Sequence, residues 1–197
     1  MDSVSNLMKN KAKSHRFFQS CVSERFFEFG KGKITSKVVG GRVFFFADRS
    51  WMSVENELYK RFAGAGAVIL REMGATYGAY VAKGAKTTGR PARELVSMLS
   101  KLGQAAGWGI LRNKGDLARD GRMTVSIRDC IFCSSWNPAE SSARGGEWEM
   151  QSCQFMVGVV LGAVSELYGP RNEVRETACL RSGSKLCRIE VLRDLNI

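Results

Sequence analysis

The sequence predicts an α+β fold with helices packed on antiparallel β-hairpins, and three observations carry that reading. Runs rich in Val, Ile and Phe come in pairs joined by short polar or glycine-containing turns, as antiparallel hairpins require. Other stretches carry apolar residues at the helical period instead. The helices cluster between the hairpins rather than alternating singly with strands, which argues against a parallel βαβ sheet. No internal repeat is visible.

From the N-terminus, Leu7 to Phe29 interleaves basic residues with Phe17-Phe18 and Phe26-Phe27, and reads as a short amphipathic helix or a docking arm. Lys33–Val39 and Arg42–Ala47 flank Gly40-Gly41, a hairpin in which both glycines take the positive φ of a type I′ turn. Ser53 is placed as the N-cap of a helix reaching about Ala82, with Leu58, Phe62, Ala65, Ile69, Met73 and Tyr77 on its apolar face. That helix contains Gly64, Gly66, Gly74 and Gly78. Each internal glycine costs about 1 kcal/mol relative to alanine, so another helix or a dimer partner is expected very close by. A break at Gly84–Gly89 precedes a helix from Pro91 to Ala106. Strands are expected at Trp108–Asn113 and Met123–Cys130 around Asp120-Gly121. A loop rich in Ser, Gly, Pro and Asn covers Ser134–Gly146. The helix Trp148–Tyr168 stops at Gly169-Pro170, and strands Glu173–Leu180 and Leu186–Leu192 close the chain around Ser182-Gly183-Ser184.

With 197 residues, 44% apolar content and 3 prolines, the chain is long enough to bury a core and too ordered in composition to be a low-complexity segment. Residues 1–30 are expected as a basic N-terminal segment and 31–197 as a single domain. No apolar run approaches the roughly 20 residues of a membrane helix, and the N-terminus lacks the apolar core of a secretory signal. A cytoplasmic protein is therefore expected. The net charge of +11 is concentrated early, with ten Lys/Arg against four Asp/Glu in residues 1–50. Such a patch suits nucleic acid, anionic membrane or an acidic partner, and equally a solvated surface.

Motifs for nucleotide chemistry fail. Gly64-Ala65-Gly66 has Ile69 where a third glycine is needed and lies within a helix, and Gly84-Ala85-Lys86-Thr87 lacks the upstream glycine of a phosphate loop. The single histidine, His15, sits in the basic segment and supports no hydrolytic triad.

Cysteine carries the chemistry. Cys153 lies on the long helix, and Glu176, Cys179 and Cys187 follow as Glu-x2-Cys-x7-Cys on the closing hairpin. The hairpin turn brings Cys179 and Cys187 to similar heights, whereas Glu176 and Cys179 have opposite strand parity and reach one ion only through a local bulge or irregular turn. Three thiolates and a carboxylate make a closed tetrahedral zinc site, with Arg181, Lys185 and Arg188 near enough to offset its charge. From spacing alone, burial as small apolar residues competes with metal binding. Cys130-Ile131-Phe132-Cys133 is a rival CxxC pair that could hold zinc with two distant cysteines or act in redox chemistry; it is read mostly as packing, since it ends a strand and lacks the helix N-terminus that activates a redox thiol.

Ser152-Cys153-Gln154-Phe155-Met156-Val157-Gly158-Val159-Val160-Leu161-Gly162 resembles the helix of the 4-vinyl reductase domain family. Arg175-Glu176-Thr177-Ala178-Cys179, then Gly183, then Cys187-Arg188-Ile189-Glu190-Val191, is similar to that family's closing hairpin. Glu72-Met73-Gly74-x3-Gly78 and Gly107-Trp108-Gly109 agree, so the resemblance spans roughly residues 33–192. It implies zinc held by Cys153, Glu176, Cys179 and Cys187, as in the phenol-responsive activators of this family. It also implies the fold of TRAPP tethering-complex subunits and of nitric-oxide-signalling sensors, a homodimer, and a buried pocket. No enzyme activity is expected. The sensors' histidine anchor is missing here, but Trp108, Phe132, Trp136 and Phe155 are aromatic candidates for a pocket wall.

Two functions follow from this reading. One is a zinc-stabilised sensor module for a small apolar or aromatic ligand, signalling through a partner chain. The other is a TRAPP-like scaffold whose basic surface meets partner proteins or anionic membrane, with nucleic-acid binding a third possibility resting on charge alone.

Overall fold

The computed structural model describes residues 26–30, 33–38, 40–43, 47–134 and 153–193. The expected N-terminal helix or arm before residue 26, the 135–146 loop and the first turns of the long helix lie outside the described residues. The chain divides into two compact units, residues 1–44 and 45–197.

In the first unit three short strands form an antiparallel sheet in sequence order: β1 (Phe27–Gly30), β2 (Lys33–Ser36) and β3 (Gly41–Val43). β1 is strand where the sequence suggested a helix or arm, and it places Phe27 opposite Ser36. The Gly-Gly hairpin forms with a longer turn than expected. Ser36 pairs with Gly41, so the connection is 37–40, and Gly40 alone takes a positive φ (67°). Its N–H closes the turn on the Ser36 carbonyl at 2.9 Å, which leaves Gly41 free to be a strand residue.

The second unit begins with α1 (Asp48–Phe62) and α2 (Gly64–Lys86), where one helix was expected. The break is Ala63, at φ 47° and ψ −130°. Gly66 permits the fold-back, since a Cβ there would stand 3.0 Å from the Leu58 carbonyl oxygen. Ser53 is consequently inside α1, its hydroxyl donating to the Arg49 carbonyl at 3.0 Å, and Ala47 is the N-cap. α3 (Ala92–Ala105) starts after Pro91, as expected.

β4 (Ile110–Asp116), the single-turn α4 (Leu117–Asp120) and β5 (Arg122–Arg128) follow. After the short turn α5 (Ile131–Ser134) and the long helix α6 (Gln154–Tyr168) come β6 (Asn172–Ala178), a 3-10 turn (Leu180–Ser182) and β7 (Cys187–Arg193). The strands make one antiparallel sheet in the order β4-β5-β7-β6. Its central strands alternate cleanly: Met123, Val125 and Ile127 pair with Val191, Ile189 and Cys187, and all six are buried. This period-two face joins the core formed with Met156, Val157, Val160 and Val164 of α6.

α6 and α2 touch backbone to backbone. A Cβ on Gly74 or Gly78 would fall on the carbonyls of Phe155 and Val159, and a Cβ on Gly158 or Gly162 would fall on those of Arg71 and Ala75. The helix glycines are therefore answered by a helix of the same chain. Among the described residues no helix is long and apolar enough to cross a membrane.

Candidate functional site

The closing hairpin delivers two of the expected ligands. The β6–β7 register slips between Glu176 and Ala178, an irregularity of the kind expected between Glu176 and Cys179. The 3-10 turn then folds the chain back, leaving the Cys179 and Cys187 sulfurs 3.8 Å apart. Cys153 is the N-cap of α6 rather than a residue within it. Its N–H donates to the Glu176 Oε2 at 2.8 Å, so a carboxylate meets the positive end of the helix.

The CxxC pair, read from the sequence as packing, stands in the same place. Cys133 Sγ lies 3.7 Å from Cys179 Sγ and 3.6 Å from Cys187 Sγ. Cys130, Cys133 and Cys153 form a second sulfur triad with all separations within 4.8 Å. Five cysteines, none more than 5% exposed, thus share one buried centre, and Cys133 belongs to both triads. The expected quartet is distributed around this centre: Cys179 and Cys187 are together, Glu176 holds the Cys153 backbone, and Cys133 links the two groups. The x2 spacing of the CxxC pair was the signal for the additional sulfurs, but only the convergence of α5 on the hairpin gives it weight.

These thiols differ electrostatically. Hydrogen bonds from Cys130 and Cys133, aided by the positive charge of Arg181, bring Cys153 down to about 7 against the opposing effect of burial. Cys130 is pushed far up, chiefly by its sulfur contact with Cys133 and then with Cys153. For Cys179 the contact with Cys133 works downward, but Cys187 and burial carry the thiol up to about 12. In such a set one thiolate is stabilised by neighbours that keep their protons.

Arg181 supplies the buried positive charge, whereas Lys185 and Arg188 are exposed. Its guanidinium grips Glu55 of α1 with both ends, at 2.7 and 2.6 Å, and also donates to the Phe132 carbonyl. The Arg181 and Glu55 side chains are 1% and 3% exposed. One buried pair therefore ties α1, the CxxC turn and the closing hairpin together.

The aromatic candidates assemble beside the sulfurs. Trp108 and Phe132 meet edge to face at 5.4 Å between centroids, and Phe132 and Phe155 are 5.0 Å apart. Trp51 of α1, missed by sequence reasoning, packs on Phe132 at 5.4 Å and on Phe155 at 4.6 Å. Tyr77 of α2 adds a contact with Trp108 at 5.5 Å. These are the spacings of rings packed in mutual contact. Trp136 and His15 lie outside the described residues.

No protein-family model matches the sequence. No curated protein matches it either. The structure, however, is similar to the phenol-responsive sensory domain of the transcription activator PoxR with phenol, with a TM-score of 0.65 and 18% identity over 90% of this chain and 89% of that one. It is also similar to a trafficking protein particle complex subunit 3 from Naegleria fowleri covalently bound to palmitic acid, with a TM-score of 0.55 and 12% identity over 75% and 92% of the two chains. A vinyl-4-reductase family protein from Methanocaldococcus jannaschii aligns at a TM-score of 0.41 and 18% identity, over 64% and 68%. The first two likenesses show the fold: this chain has the α+β architecture shared by that sensory domain and that trafficking subunit.

Proposed function

We propose that this chain is a metal-clamped sensor module for a small apolar or aromatic molecule, with zinc in the cysteine centre and a partner chain reading the response. The observation that carries the reading is adjacency. Cys133 and Phe132 are neighbours on one turn, Cys153 and Phe155 begin one helix, and Arg181 donates to the Phe132 carbonyl from the closing hairpin. Whatever moves the aromatic rings therefore also strains the sulfur centre.

The donor set fits zinc. A tetrahedral ion with Zn–S bonds of about 2.3 Å spaces its sulfurs roughly 3.8 Å apart. The Cys133, Cys179 and Cys187 sulfurs stand 3.6–3.8 Å apart. Cys179 and Cys187 would hold the ion with partners from Cys133, Cys153 and Glu176, and the bound metal supplies a cross-link rather than an activated water. The chain's own residues do the rest. Arg181, paired with Glu55, ties the closing hairpin to α1 and to the CxxC turn, Glu176 fixes the start of α6, and Trp51, Tyr77, Trp108, Phe132 and Phe155 form the face that receives the ligand. No catalytic step is assigned to it.

The test measures zinc per chain in protein purified without added metal, alongside Cys187→Ser. Bound zinc, lost in the variant together with a fall in Tm, supports the clamp. Thermal stabilisation is then screened with phenols and with fatty acids, because a ligand that binds only the native state raises Tm. Zinc-free, well-folded protein sinks the clamp, and no stabilisation by either class sinks the sensor.

The homodimer expected for either a sensor or a scaffold has its own observation. Val68, Met73, Tyr77 and Tyr80 of α2 are large side chains left 40–61% exposed on one helix. Homodimerisation through this helix suits either role. Sedimentation at increasing protein concentration checks it, and a monomer throughout removes the support.

A further inference from the structure

We infer that the cysteine centre holds two soft metal ions bridged by Cys133, one in the Cys133–Cys179–Cys187 triad and one in the Cys130–Cys133–Cys153 triad. This rests on the zinc reading above and goes beyond a single four-ligand site. Its basis is a count of donors against what one ion can use. A tetrahedral ion takes four ligands, whereas five buried sulfurs converge here, three to each triad with one shared.

The sulfurs are also partitioned. Each triad is compact, with all its sulfurs within 4.8 Å of one another, and the two triads have one corner in common. A shared thiolate is the arrangement in which one sulfur serves two ions, since a thiolate retains lone pairs after the first bond. Three separate pieces of chain build this arrangement: the turn α5 with the residue before it, the N-cap of α6, and the β6–β7 hairpin.

Charge supports two ions over one. Five thiolates around a single divalent ion leave a buried excess of three negative charges, which would force some cysteines to remain thiols. Two divalent ions reduce the excess to one. Each thiol that binds releases its proton to solvent as the sulfur–metal bond forms. Thiolate-only donors select soft d10 ions such as Zn(II), Cd(II) or Cu(I) over oxygen-seeking cations.

The experiment uses the full chain, stripped of metal under reductant and titrated with Cd(II), with bound ion counted by mass spectrometry and by cadmium NMR. Two ions per chain and two cadmium resonances shifted into the thiolate range are expected. Cys130→Ser should keep one resonance, that of the hairpin triad, and lose the other. Cys187→Ser should do the reverse. The wild-type stoichiometry decides even where a variant does not fold. A single ion whose resonance is unchanged in Cys130→Ser overturns the bridged pair and leaves the one-ion clamp standing. No bound ion overturns both.

Discussion

Replacing Arg181 by methionine should cost this protein more than any other single change at its centre that leaves the cysteines intact. The guanidinium makes two charge-assisted bonds to Glu55, at 2.6 and 2.7 Å, in a position where the two side chains are 1% and 3% exposed. Methionine fills a similar volume but leaves the Glu55 carboxylate buried without its counter-charge, which costs about 3–5 kcal/mol. The Phe132 carbonyl loses a donor at the same time, a loss contained within that range because the bonds share one network. For a chain of this length such a loss lowers Tm by on the order of 10 °C. The assay is thermal and urea unfolding of the wild type, Arg181→Met, Glu55→Leu and the double variant. The double variant should be more stable than Arg181→Met alone, because a hydrophobic pair replaces a buried ion pair with little loss while a lone buried charge is not tolerated. Arg181→Met within about 1 kcal/mol of the wild type, or a double variant showing simple additivity, would refute the coupling.

The remaining expectations concern the frame. Gly158→Ala drives a Cβ onto the Arg71 carbonyl oxygen, rigid helix backbone that cannot swing aside, so overpacking of about 3 kcal/mol should exceed the roughly 1 kcal/mol helix gain. Gly103→Ala, with 3.4 Å to a flexible leucine side chain, should be neutral or mildly stabilising, and urea midpoints distinguish the two signs. Ser53→Ala should change stability by less than about 0.5 kcal/mol. Asp116→Ala, which removes a side chain accepting from the Ala118 and Arg119 N–H groups, should cost about 1 kcal/mol in the same unfolding assay. The Glu57 and Asp120 carboxyls, held ionised by hydrogen bonds from Arg61 and Arg119 respectively, should titrate below their ordinary values of 4.5 and 3.8 by carboxyl NMR. Being depressed in the folded state, they help stability above those values, and the help fades as pH falls through the lowered ones.

Periodicity made most of the fold legible. Met123, Val125 and Ile127, and Cys187, Ile189 and Val191, announce two half-buried strands through alternation, and the structure pairs them residue for residue. Gly169-Pro170 ends α6 where the sequence said, because a glycine at φ 95° followed by proline cannot continue a helix. An irregularity between Glu176 and Cys179 was expected only on the premise that both face one ion, and the register does slip there, between Glu176 and Ala178. Ala63 was not. Nothing local marks an alanine for φ 47°, and the turn exists because α1 and α2 pack against each other across Gly66.

The candidate site divides along the same line. Sequence by itself determined which residue types were present at chemically meaningful spacings: Cys179 and Cys187 across a hairpin, Cys153 at a helix start, and a CxxC pair of uncertain purpose. Only the tertiary structure decided that Cys130 and Cys133 join the other three sulfurs, that Trp51 completes the aromatic face, and that Arg181 is buried against Glu55, 126 residues away in the chain. Periodicity and turn chemistry are properties of neighbouring residues and survive in one dimension. A buried charge pair or a shared sulfur corner is a contact between distant segments, and it comes into being only when the core that desolvates it has closed.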